Sequence, residues 1–342
     1  MIKLINNSEK VENKNVEDVH KKHLITHDSI NKNIDDYISG KIEQGFRSVS
    51  ENLNEHYLFK KNEFYLCTGK KGDGKTTINQ TLQILGAICS DLIFVVAFQE
   101  NSEWSMKLNY MNYLCGDFAK NYKNKNPKEF KVISDWLDKH FYFIEVESVK
   151  EACDFTEDLI TNKGVKVHAL FLDPVNSFMN GWQDTGNAYA DGKILGIKIL
   201  NFSKKLCSVH VSQHPTMSAQ RSDEDVTSYD GEGGWLLNKA SFTYCINRKN
   251  NNENELTVDN VRNKHTGGDT TEKENPLVLY WFPTKIDIGF RSGFNKDEDV
   301  IQEALRVHNP FNMEYKEFKE DKPLQTASVF EAFGSTSEEM PF

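Results

Sequence analysis

Eight consecutive residues narrow the possible folds more than any other stretch of the chain. Gly69-Lys70-Lys71-Gly72-Asp73-Gly74-Lys75-Thr76 matches the pattern Gly-x4-Gly-Lys-Ser/Thr without a mismatch. An apolar run that reads as a strand, Phe64–Thr68, precedes it, and a run that reads as a helix, Thr77–Ser90, follows. The glycines let backbone N–H groups turn inward around an anion. The helix N-terminus adds its dipole. Lys75 brings a point charge to the phosphates, and Thr76 offers a hydroxyl to Mg²⁺. The sequence therefore predicts a nucleoside-triphosphate site contacted along Gly69–Thr77.

The rest of the chain agrees with that loop's needs. Short apolar runs recur at Leu92–Phe98, Tyr142–Glu145, His168–Leu172, Val209–Ser212, Phe242–Ile246, Leu256–Val261 and Leu277–Phe282. The early ones are continuous rather than alternating, as parallel strands covered on both faces are. Helical stretches separate them at 76–90, 103–121, 127–140, 149–162 and 189–206. This alternation predicts an α/β fold with a mostly parallel, doubly wound sheet. The closely spaced runs after 245 predict antiparallel edge strands. Before the core, an amphipathic helix is expected on Ile34, Tyr37, Ile38 and Ile42, ending near Gly45. The expected division is a tail and linker or oligomerisation helix over 1–44, an ATPase core over 45–292, and an acidic, largely disordered tail over 293–342. Within that tail, 297–307 can form one helix. The long irregular stretches 175–193 and 214–236 are of a length that in compact domains is usually functional.

Composition excludes several classes. No apolar run reaches the roughly 18–20 residues that span a bilayer, so no membrane role is expected. The N-terminus carries neither an apolar signal core nor an Arg-rich pattern. Six widely spaced cysteines without a CxxC pair argue against a disulfide scaffold or zinc ribbon. They fit a reducing, cytoplasmic setting, in a bacterium or a phage-infected cell. The formal charge is −10, of which the last 50 residues carry −6. Only six of the 41 basic residues are Arg, at 47, 221, 248, 262, 291 and 306, in a Lys- and Asn-rich chain. A retained Arg in such a chain points to a need for its planar fork.

Four strand ends supply the remaining chemistry. His168–Asp173 is an apolar run closing on a carboxylate, the place where a triphosphate site holds Mg²⁺. The run ending at Phe98 continues Gln99-Glu100, which sets Glu100 beside the γ-phosphate, able to polarise the attacking water. The run from Val209 ends Gln213-His214-Pro215, and either Gln213 or His214 can sense the γ-phosphate. Arg262 closes the β-run that starts at Leu256 and precedes a Thr-Gly-Gly turn. A loose phosphoryl-transfer state gains strongly from an Arg delivered by a neighbouring subunit.

Taken in order, the phosphate loop, Glu100, "FLDP" at 171–174, "VSQHP" at 211–215, "GGWLLNKA" at 233–240, Arg248 in "NRKN" and "VRNKHTGG" at 261–268 resemble the RecA-like ATPase core of DnaB/Twinkle-type replicative helicases. The resemblance runs from about 45 to 290. It implies a RecA-like fold, ATP and Mg²⁺ as cofactors, and Thr76 and Asp173 as the metal residues. Lys75 and Glu100 are implied as catalytic, with Gln213 or His214 as sensor and Arg262 as the arginine finger. Arg248 and Lys264 are implied near the nucleotide. Where the family often carries a Lys two residues before the finger, this chain has Asn260. The family's N-terminal primase or primase-binding domain has no counterpart in the residues preceding the core.

The implied activity is an ATP-driven, ring-shaped, hexameric DNA helicase that acts on single-stranded DNA in replication. Loops 175–193 and 214–236, with Lys193 and Arg221, would face the strand. Five acids between 221 and 232 sit awkwardly with that role. Two other readings share the first motifs: a RecA/UvsX-like strand-exchange recombinase, and a regulatory P-loop ATPase such as a helicase loader. The terminal residues 337–342, Ser-Glu-Glu-Met-Pro-Phe, are similar to the acidic tips of single-strand-binding proteins. They suggest docking to a replisome partner, a polymerase or primase.

Overall fold

The computed structural model describes residues 27–41, 45–100, 102–232, 234–261, 276–281, 288–290 and 299–312. Chain order gives α1 (His27–Ile38), α2 (Glu51–His56), β1 (Phe64–Thr68), α3 (Lys75–Ser90), β2 (Ile93–Phe98), α4 (Glu103–Cys115), α5 (Ala119–Lys125), α6 (Pro127–His140) and β3 (Phe141–Glu145). It continues with α7 (Val149–Thr161), β4 (Val167–Asp173), α8 (Ala188–Lys205), β5 (Ser208–Gln213), α9 (Met217–Arg221), α10 (Gly234–Leu237) and β6 (Phe242–Arg248). The antiparallel strands β7 (Glu253–Val261), β8 (Leu277–Trp281) and β9 (Ile288–Phe290) follow, and α11 (Val300–His308) is last.

The strands form one sheet in the order β3-β2-β4-β5-β1-β6-β7-β8-β9. Pairing is parallel from β3 to β6 and antiparallel from there to β9. The expected doubly wound sheet with an antiparallel edge is thus present. Alternate residues of each parallel strand enter two separate cores. Tyr65 and Cys67 join the core under α3, α4, α6 and α11. Phe64 and Leu66 join the core under α7, α8 and α10. Burial on both faces is why these strands read as continuous apolar runs.

Three expectations shift in the structure. The stretch 103–121 is two helices, because Gly116 takes a left-handed φ of 60° and ends α4. The first helix stops at Ile38, ahead of Gly40 at φ 70°; Ile42 lies outside the described residues. Helix α11 belongs to the core rather than to a tail beginning at 293. Its Val300, Ile301, Ala304 and Leu305 are at most 1% exposed and lie in the same core as α3. Apolar spacing of one residue in three or four gives that short helix a face worth burying, whatever the charge around it.

Candidate functional site

The sheet order sets the site. Along the C-terminal edge the strand ends run β2, β4, β5, β1, with Phe98 paired to Asp173 and Thr68 paired to Gln213. Glu100, Asp173, Gln213 and the phosphate loop therefore lie side by side, although the sequence scatters them over more than 100 positions.

The loop itself is held in a cradle. Gly72 and Gly74 have φ of +91° and +81°, conformations that side chains rarely adopt. Lys70 N–H donates to the Asp73 carboxylate at 3.1 Å and closes the turn. At Gly69 a Cβ would stand 2.6 Å from the Ile246 carbonyl oxygen, and at Gly74 it would stand 2.8 Å from the Trp281 ring. Asn254 donates from Nδ2 to the Asp73 carbonyl and accepts from Trp281 Nε1 at 2.6 Å. The antiparallel extension thus buttresses the loop from outside. Arg248 reaches it too, its guanidinium 3.5 Å from the Gly72 carbonyl oxygen.

Lys75 is buried, and its ammonium donates to the carbonyls of Gly69 (2.7 Å) and Lys70 (3.0 Å). Burial pulls its pKa down, opposed by the nearby Cys67, Asp173, Asp73 and Glu100. No side chain caps the α3 N-terminus at Gly74, so its first N–H groups remain available to an anion. Asp173 accepts hydrogen bonds from the hydroxyls of Thr76 and Ser212. Burial pushes its carboxyl up, and those bonds and Lys75 work against the push. An uncapped helix start beside a buried ammonium fits a triphosphate. A hydroxyl bonded to a carboxylate fits a hard, oxygen-seeking divalent cation.

Glu100 is half-exposed. It accepts from the Ser177 hydroxyl at 3.4 Å and lies 3.5 Å from His214 Nε2. Backbone N–H of His214 donates to Asn176 Oδ1 at 2.9 Å, and Asn176 donates to Glu232 at 2.6 Å. Gln213, wholly buried, donates to Thr68 Oγ1 at 2.9 Å and presses on Gly231, where a Cβ would meet Nε2 at 2.0 Å. Of the two candidate sensors, His214 faces the carboxylate and Gln213 faces the strand that carries the loop. Arg262 and Lys264 lie outside the described residues, as does the segment 337–342.

Several contributors escaped the sequence reading. Tyr244 donates to Asn79 Oδ1 (2.8 Å), Asn79 donates to Ser212 Oγ (2.8 Å), and Ser212 donates to Asp173. This buried chain fixes the carboxylate from beneath. Asn79 is one of several polar residues that α3 buries, with Gln80, Thr81 and Gln83. The loop 214–236 is also tied down. Lys70 Nζ donates to the carbonyls of Ser222 (2.5 Å) and Glu224 (2.7 Å), and Lys71 N–H to Gln220 Oε1 at 3.2 Å. Three of the five acids in that loop have internal partners. Asp225 pairs with Lys249, Asp230 accepts from Thr227, and Glu232 accepts from Asn176.

By sequence, no protein-family model and no curated protein matches this chain. By structure, it is similar to the ATPase domain of G40P, with a TM-score of 0.60 and 11% identity over 77% of this chain and 98% of that one. It is also similar to a DnaB-like replicative helicase solved for its interactions with primase, with a TM-score of 0.59 and 11% identity over 79% of this chain and 69% of that one. The fold is RecA-like.

Proposed function

We propose that a chain of this RecA-like fold, with this site, is the ATP-hydrolysing motor of a ring-shaped helicase that moves along single-stranded DNA in replication. The observation that carries the reading is the tie between the nucleotide loop and the polar loop beyond β5. Lys70 holds the carbonyls of Ser222 and Glu224, and Lys71 holds Gln220. A change in phosphate occupancy at 69–76 is thereby transmitted to a surface loop, which is what a translocating ATPase requires.

Within the site, Lys75 and the α3 N-terminus bind the triphosphate. Thr76 and Asp173 hold Mg²⁺, which when bound neutralises phosphate charge. Glu100 takes a proton from the attacking water. His214, 3.5 Å from Glu100, is placed to report on that carboxylate. Arg248 lies within reach of the phosphates from the loop's outer side, and Arg262 and Lys264 act across a subunit interface.

The reading extends to DNA and to assembly. Lys193 is exposed in the second turn of α8, and Arg221 is exposed at the end of α9 in the stretch beyond β5. Tyr189 in the first turn of α8 and Tyr229 in the stretch beyond β5, 71% and 77% exposed, offer ring faces to bases. Helix α1 presents Ile30, Ile34, Tyr37 and Ile38 outward along one stripe. A second copy burying that stripe supports a homo-oligomer, and a hexamer sums weak phosphate contacts from each subunit. The segment 337–342 serves as a dock for a polymerase or primase.

The test is hydrolysis with and without single-stranded DNA, unwinding of a forked duplex, and electron microscopy with ATP and DNA. DNA-stimulated hydrolysis, strand separation and closed or lock-washer rings are expected. Long filaments in place of rings would make the protein a strand-exchange recombinase, and absence of any DNA association a regulatory ATPase.

A further inference from the structure

Strand β7 carries one residue more than its partner. Thr243 and Tyr244 are neighbours on β6, yet they pair with Asn260 and Val258, so Asp259 has no partner across the ladder. An extra residue of this kind bends a strand and re-aims a side chain. Burial records the shift. Asn254, Leu256 and Val258 are buried at intervals of two, and the next described buried side chain is Val261, three positions on.

The bulge aims the Asp259 carboxylate at the polar stretch beyond β5. Its Oδ2 accepts from the Ser228 N–H at 2.7 Å, the Ser228 hydroxyl at 2.5 Å and the Cys245 thiol at 3.1 Å. Burial pushes the Cys245 thiol up, which keeps it a donor. Ser228 and Cys245 are both buried, so losing this acceptor would strand buried donors. Ser228 opens a single turn closed on itself, because Thr227 donates to Asp230 from its N–H at 2.7 Å and its hydroxyl at 2.8 Å. Toward the nucleotide loop the same segment is fastened twice more. Asn247 of β6 accepts from the Val226 N–H at 2.8 Å and donates to the Val226 carbonyl at 3.0 Å. Lys70 holds the carbonyls of Ser222 and Glu224. Residues 222–230 thus run as a strap from the nucleotide loop, past β6, to the far part of β7. The exposed Tyr229 is next to Ser228, and Arg262 follows Asp259 by three positions.

Given the motor role proposed for this site, on which the assignment rests, we propose that Asp259 is a positioning residue for hydrolysis. It makes the end of β7, and so the backbone that enters Arg262, follow the polar loop beyond β5. A base drawn onto Tyr229, or a phosphate that moves Lys70, pulls on Ser228 and through it on Asp259. The point of attachment suits that work. A bond to the middle of a regular strand would meet a ladder locked on both edges. At Asp259 the ladder with β6 is already interrupted, and the described pairing with β8 ends at Leu256, so the strand can yield there.

The experiment follows hydrogen exchange of the peptides spanning 222–232 and 254–262 in the full chain. Exchange is read without ligand, with Mg²⁺ and a slowly hydrolysed ATP analogue, and with oligothymidylate added. The kcat and KM for ATP are measured alongside. In the wild type both peptides change together when ligand is added. In Asp259→Ala the change stops at 222–232. Oligothymidylate then loses most of its effect on kcat, while KM for ATP stays within about twofold of wild type. Asp259→Asn keeps an acceptor oxygen and restores most of the coupling. Ser228→Ala removes the hydroxyl and leaves the backbone N–H. It shows the same loss in smaller measure, and it serves if Asp259→Ala does not fold. A mere anchor would loosen both peptides equally with and without ligand and leave the stimulation of kcat in place, and that result overturns the proposal. So does a wild type in which the two peptides do not respond together, or an Asn variant as impaired as the Ala variant. Oligothymidylate without effect on the wild type removes the motor reading, and the ATP analogue alone then decides whether Asp259 couples the two segments.

Discussion

Lys70 and Glu224 stand 154 positions apart in sequence, yet the Lys70 ammonium donates to the Glu224 backbone carbonyl at 2.7 Å, and to Ser222 beside it. The contact joins the nucleotide loop to the segment expected to meet DNA. It uses backbone carbonyls, so it does not depend on the side chains of Ser222 and Glu224.

Replacing Lys70 by Met keeps the stem and removes the donor. A hydrogen bond from a charged group is worth about 1.5–3 kcal/mol when buried, and less at a surface such as this. The expected result is ATP affinity within a few-fold of wild type and a loss of most of the stimulation of hydrolysis by single-stranded DNA. Steady-state ATPase assays with and without an oligonucleotide measure it. Unchanged stimulation would show that the tie carries no signal.

Asp173→Asn separates stability from activity. Burial holds the Asp173 carboxyl above its ordinary range, so the fold penalises the ionised form. That penalty is fully present above the folded pKa and is relieved as pH falls through it. At neutral pH the nucleotide-free Asn variant should therefore melt at or above the wild-type temperature, while Mg²⁺-dependent hydrolysis falls to background. A variant that melts clearly lower would place the carboxylate's value in the structural network of Thr76 and Ser212 instead.

Glu100→Gln should retain ATP and lose turnover by about two to four decades, the usual worth of a general base. Arg262→Ala should be silent in isolated subunits and severe in the assembly. Mixing the two inactive proteins provides the decisive measurement. If the arginine acts across an interface, mixed rings contain some interfaces with both good halves and regain hydrolysis. A mixture that gives only the weighted sum of its parts removes the finger.

Gly231→Ala tests the packing around Gln213. The added methyl would lie 2.0 Å from Gln213 Nε2, and Gln213 is wholly buried and bonded to Thr68. Overpacking of this kind costs about 1–3 kcal/mol, read as a lower melting temperature, with slower hydrolysis if Gln213 leaves Thr68. Normal stability and rate would mean the amide swings away freely.

What could be read ahead of the structure was whatever a single element encodes. The loop at 69–76 is contiguous, and two-sided burial writes β1, β2, β4 and β5 as apolar runs with chemistry at their ends. The break at Gly116 was also legible in principle, since glycine past a helix end is the usual left-handed cap. The chain Tyr244–Asn79–Ser212–Asp173 was not. It joins four elements, and of its members only Asp173 stands out beside its sequence neighbours. The buttress of Asn254 and Trp281 on the nucleotide loop was hidden for the same reason. The acids at 225, 230 and 232 were misjudged because their internal partners, Lys249, Thr227 and Asn176, become visible only when the loop is closed.

The sheet order also has a consequence in time. Strand β1 leaves the ribosome early, but its two neighbours are β5 and β6, which begin at Ser208 and Phe242. The strand that presents the nucleotide loop therefore waits with both hydrogen-bonding edges open until about 145 further residues have been made, and with one edge open until about 180. Such non-local pairing slows folding and leaves strand edges exposed to wrong partners. The nucleotide loop becomes one of the last parts of the core to close, so a nascent chain is unable to engage nucleotide until most of its translation is complete.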